Sequence, residues 1–97
     1  MTDDMFRVVL ESAGAKTDKE GWSALPEGRT MTLHAAHDGV GLTIGKVEAA
    51  KVSQRTLWAR STKGEMFIVS MDDVFGATID RGSDGSGSSG RKAGFLG

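Results

Sequence analysis

Trp58 stands between Arg55 and Arg60, with Lys63 three residues beyond and Lys46 and Lys51 shortly before. An aromatic ring beside cations on a sheet face is the combination that stacks an unpaired base and neutralises its phosphate. Lys46, Lys51, Arg55, Trp58, Arg60 and Lys63 are therefore the candidate nucleic-acid contacts. Residues 46–64 carry five cations against Glu48 alone, in a chain whose formal net charge is −1. The sequence pI is near 6.1, well below the basic footprint usual for nucleic-acid binders. The bland alternative is a solvated charged face with Trp58 and Phe67 in the core. Phe67, on the next strand, is expected to sit across from Trp58.

A second grouping lies at the C-terminal end. Ser83 to Gly90 contains only glycine, serine and one aspartate, and it leads into Arg91, Lys92, Phe95 and Leu96. The composition predicts a flexible, disordered linker with a root-mean-square reach of roughly 16 Å. Two cations and two large apolar groups within seven residues suit a short docking peptide. Such a peptide binds weakly by itself, because ordering costs entropy, and is useful mainly as a tethered contact. The candidate partner-binding residues are thus Arg91, Lys92, Phe95 and Leu96.

Other chemistry finds less support. His34 and His37 are three apart on a strand running into a turn, which does not bring both imidazoles to one face. They read as a solvent-facing histidine and a turn histidine, not as metal ligands. Asp72 and Asp73 are adjacent carboxylates that more often bend backbone than hold a cation. The chain has no cysteine, hence no disulfide and no thiolate. No Gly-x-Ser-x-Gly elbow is present, and the glycines at 39, 41 and 45 are too sparse for a phosphate cradle. The expectation is a non-enzymatic protein with neither cofactor nor metal.

These residues need a scaffold, and 97 residues suffice for one domain. With residues 83–97 as tail, residues 1–82 form it. Asp3 and Asp4 stand where a signal peptide would be basic. No apolar run approaches the ~20 residues of a membrane helix. A soluble, cytoplasmic protein is expected.

In DDMFRVVLESAG, Phe6, Val9 and Leu10 share one helical face, with Asp3 or Asp4 as cap and Gly14 as left-handed terminator. Phe6, Val8 and Leu10 also alternate as in a strand, and the helix is preferred. Residues 14–29 read as a loop in which Trp22 and Leu25 fold back on the domain. From Thr30 the period becomes two. Met31, Leu33 and Ala35 alternate, and Asp38-Gly39 is a hairpin turn. Val40, Leu42 and Ile44 return, and Gly45 marks a bulge or bend before a further extended stretch. After a turn at residues 53–55, Thr56 to Arg60 is a strand with Leu57 and Ala59 on one face. Residues 62–64 turn again.

Glu65 to Met71 is apolar on both faces and so expected to be central or covered. Val74 to Asp80 is the last strand, with Phe75, Ala77 and Ile79 inward. The fold class is mainly β: a small open barrel or roll of five to six antiparallel strands, a short N-terminal helix and a disordered C-terminal tail.

Function follows from elimination. The leading expectation is a protein-interaction or adaptor module that binds another protein or itself, with the tail as a docking peptide. One alternative is a single-stranded nucleic-acid-binding barrel. The other is an accessory subunit whose uncovered strand face is Phe67, Val69 and Met71.

Overall fold

The protein, seen as a computed structural model, is described over residues 1–81. The linker and the candidate peptide Arg91, Lys92, Phe95 and Leu96 lie outside the described residues.

Helix α1 spans Asp3–Ala13. Its cap is Thr2, whose hydroxyl accepts from the Met5 N–H at 3.1 Å. Asp3 and Asp4, expected as caps, occupy the first turn instead, where their charge suits the helix dipole. Phe6 and Ala13 are buried, Val9 and Leu10 pack on the core, and Met5 and Val8 face solvent. That pattern has helical period and excludes the strand alternative. Gly14 ends the helix at φ +78°. The Gly14 N–H reaches the Glu11 carbonyl and the Ala15 N–H reaches the Leu10 carbonyl, both at 3.0 Å, which is a Schellman termination. Arg29 Nη1 donates to the Ala13 carbonyl at 2.8 Å, satisfying another orphan acceptor of the last turn.

Seven antiparallel strands follow: β1 Lys16–Thr17, β2 Trp22–Ala24, β3 Thr30–His37, β4 Val40–Ser53, β5 Thr56–Ser61, β6 Met66–Ser70 and β7 Val74–Asp80, with a 3-10 turn at Met71–Asp73 between the last two. They form one curled, open half-barrel. β4 is its spine. One edge of β4 pairs with β3 along Val40–Val47 and then with β2 along Ala49–Lys51. The opposite edge of its second half pairs with β5, from Val47 to Ser53. β7 adds to β3, β6 to β5 and β1 to β2.

β4 changes direction where an extra residue enters its register with β3, between the pairs Leu33↔Ile44 and Met31↔Val47. The bend falls where Gly45 predicts it, but the left-handed residue is Lys46, at φ +58°. At the β3–β4 turn both Asp38 and Gly39 have positive φ, the type I′ geometry that matches strand twist. The β4–β5 turn repeats it with Gln54 and Arg55, at φ +51° and +63°.

The core lies in the hollow of the half-barrel. Met31, Leu33 and Ala35 of β3 meet Ile44 and Val47 of β4, Leu57 and Ala59 of β5, Met71, Val74 and the helix residue Phe6, all buried. Each large side chain so buried contributes about 1.5–3 kcal/mol relative to exposure.

Several strand expectations change. Residues 14–29 are not all loop, because pairing of Trp22↔Lys51 and Ala24↔Ala49 extends a segment whose local sequence is polar. β6 is an edge strand, not a central one: among the described residues it pairs only with β5. Its inward residues Phe67 and Val69 pack on the core, and Met71 is buried. The uncovered apolar groups are instead Met66 and Ile68. Phe75 is 70% exposed because β7 carries an extra residue against β3: Val74 pairs with Ala35 and Gly76 with His34, leaving Phe75 bulged out. Val40 and Leu42 are on the expected strand but lie exposed near the hairpin tip. Phe67 pairs with Ala59, so Ile68 is the residue across from Trp58.

Candidate functional site

The outer face of β2, β4, β5 and β6 gathers the side chains best suited to binding. Strand register sets them in rows. Trp22, Lys51, Trp58 and Ile68 are consecutive cross-strand neighbours, and Ala24, Ala49, Arg60 and Met66 form the adjacent row. Cations and rings interleave along it. Lys51 Nζ lies 6.0 Å from the Trp58 ring centroid, and the Arg60 guanidinium carbon lies 5.5 Å from that of Trp22. Contacts of this kind contribute about 0.5–1 kcal/mol each at exposed sites. Arg60 Nε also donates to Glu48 Oε2 at 3.2 Å. Ala49 is 1% exposed yet lies outside the main core cluster, so this face forms a thin second layer of packing.

The position of Trp22 is built locally. The Asp18 carboxylate accepts from the Glu20 N–H at 2.8 Å and the Trp22 N–H at 3.0 Å, an Asx arrangement that shapes the β1–β2 turn. Gly21 completes the turn at φ +89°. β2 then docks on β4 and delivers the ring to Arg60.

Of the six candidate nucleic-acid contacts, the structure brings together Lys51, Trp58 and Arg60. Arg55 sits in the β4–β5 turn and pairs with Asp72. Lys46 lies at the bend of β4 and Lys63 in the β5–β6 loop. The Thr62 N–H donates to the Lys46 carbonyl, so these two cations share the other end of the hairpin. Trp22, Met66 and Ile68 belong to the patch but not to the sequence-derived set. A lone tryptophan in a polar segment was the one available signal.

β6 adds a second feature. Its sequence, MFIVS, has no charge and no proline, the usual means by which an edge strand avoids pairing with other chains. Met66 is 46% and Ile68 60% exposed beside that edge, which is unpaired among the described residues.

A separate groove of about 380 Å³ opens between the β3–β4 hairpin and β6, lined by Ala35, Val40, Leu42 and Val69 with His37, Asp38 and Asp73 at the rim. His37 Nδ1 donates to Asp73 Oδ1 at 3.0 Å, and His37 Nε2 lies 3.5 Å from Asp38 Oδ2. His34 is half-buried on the other face, 3.0 Å from the Thr78 hydroxyl. No group of three or more His, Cys, Asp or Glu converges as a metal site among the described residues. None of their helices is long and apolar enough to cross a membrane. The chain matches no family model, no characterised protein and no solved structure.

Proposed function

We propose that the protein is a non-enzymatic interaction module that takes an extended segment of another protein onto the free edge of β6. The carrying observation is an uncharged, proline-free edge strand flanked by exposed Met66 and Ile68 and by Trp58 one strand in. Main-chain hydrogen bonds at such an edge supply affinity, and alternate side chains of the incoming strand supply selectivity. Here Met66, Ile68 and Trp58 form the apolar floor, and Lys51 and Arg60 favour an acidic residue in the partner.

Peptide selection against the purified full chain tests this reading. Alternating apolar and acidic peptides are expected, whose binding Ile68→Lys abolishes and Glu20→Lys leaves intact. Selected peptides that bind Ile68→Lys as well as they bind the parent would refute it.

A nucleic-acid reading rests on Lys51 and Arg60 beside tryptophan rings. It is the weaker one, because Arg60 is shared with Glu48 and Arg55 with Asp72. Salt-sensitive quenching of tryptophan fluorescence by oligo-dT would favour it, and no quenching at low salt would remove it.

A further inference from the structure

The groove between the β3–β4 hairpin and β6 is a different surface from the β6 edge, and what it would take can be read from its lining. The floor is aliphatic: Val40 is 70% and Leu42 44% exposed, and Val69 closes the opposite wall. The rim carries two carboxylates, Asp38 and Asp73, with His37 between them. The complementary ligand is a short peptide with cations at one end and large apolar side chains at the other. The chain contains such a peptide beyond the described residues: Arg91 and Lys92, followed by Phe95 and Leu96.

Distance permits the match. β7 begins at Val74, paired with Ala35 in the groove wall, and ends at Asp80, paired with Thr30. The chain therefore leaves the domain one strand length from the groove, roughly 20 Å at about 3.3 Å per residue. Residues 82–90, of linker composition, span at most about 30 Å, with a root-mean-square reach of roughly 17 Å. Arg91 can thus arrive at the acidic rim while Phe95 and Leu96 reach the aliphatic floor. A linker of this length holds its peptide at an effective concentration in the millimolar range, enough to populate even a weak contact.

We infer that residues 91–96 dock in cis in this groove, with Arg91 and Lys92 against Asp38 and Asp73 and with Phe95 and Leu96 over Val40, Leu42 and Val69. A ligand for the groove must displace them. This does not rest on strand addition at β6, which uses the outward faces of other residues.

Methyl NMR of the full chain tests it. Phe95→Ala/Leu96→Ala should shift the methyls of Val40, Leu42 and Val69 while leaving those of Ile68 and Val52 in place. The chain has no cysteine, so a nitroxide on Ser88→Cys gives a second measure. Broadening at the groove methyls should exceed that at Ile68 at least threefold and persist on twentyfold dilution. Arg91→Ala/Lys92→Ala should at least halve it. No difference between groove and control methyls would overturn the inference. Broadening that disappears on dilution would assign the peptide to a neighbouring copy, and broadening indifferent to Arg91→Ala/Lys92→Ala would remove the charge pairing. Each of these also counts against docking in cis as stated.

Discussion

The guanidinium of Arg60, on β5, stacks over the ring of Trp22, on β2, across the intervening strand β4. This contact ties the β1–β2 hairpin to the opposite side of the spine. Arg60→Ala removes it together with the hydrogen bond to Glu48. We expect a loss of about 1 kcal/mol, most of it surviving as coupling in a double-mutant cycle with Trp22→Leu. Urea unfolding followed by the fluorescence of Trp58 measures it. Strict additivity of the two substitutions would show that the stacking contributes nothing.

Phe6 and Phe75 make opposite predictions. Phe6 is 2% exposed and pins α1 to the core, whereas Phe75 is the bulged, outward residue of β7. Phe6→Ala should cost about 3–5 kcal/mol, a large share of the stability of a domain this size. Phe75→Ala should stay within about 0.5 kcal/mol of the parent. Thermal melts of the two variants side by side measure the contrast, and equal losses would contradict it.

Gln54 spends its native state in a left-handed conformation that asparagine adopts more readily. Gln54→Asn keeps Arg55 and its partner Asp72 and should raise the urea midpoint slightly. A lower urea midpoint would mean that the Gln54 side chain makes contacts of its own.

Gly14 should tolerate nothing larger. A methyl there would sit 2.9 Å from Arg29 Nη1, at a φ of +78°. Gly14→Ala is expected to cost about 1–2 kcal/mol from left-handed strain, and displacement of Arg29 from the Ala13 carbonyl adds to it. Arg29→Ala in the same background should then cost less than it does in the parent protein.

Ile68→Lys should leave the melting temperature nearly unchanged, since the side chain is mostly in water. It should also lower self-association at high concentration, because a charge now guards the edge. Light scattering against concentration reads the effect.

Much of this architecture is legible in the residues. The alternation of Met31, Leu33 and Ala35, the Asp38-Gly39 turn and the faces of Leu57 and Ala59 follow from local period and turn chemistry. Gly14 as a helix terminator follows from its freedom at positive φ. What local pattern does not carry is pairing. Trp22 becomes a strand residue only because β4 offers it an edge, and β6 is apolar on both faces without being central. One extra residue in β7 turns Phe75 outward, against the alternation of its neighbours. The same limit applies to the site. Lys51, Trp58 and Arg60 are recognisable as types, but their meeting with Trp22 depends on register between strands thirty residues apart.

The fourteen residues of β4 have a temporal meaning as well. Its two long partners, β3 and β5, are its immediate neighbours in the chain, so both hairpins can zip up early. β7 must return to β3, and β2 must find β4, over longer loops whose closure is entropically slower. Amide protons along Val47–Ala50 should be the last to exchange, and those of β2 and β7 among the first. The hairpin that carries Trp22 is therefore expected to form late and to let go early, so that its contact with Arg60 opens without the whole molecule unfolding.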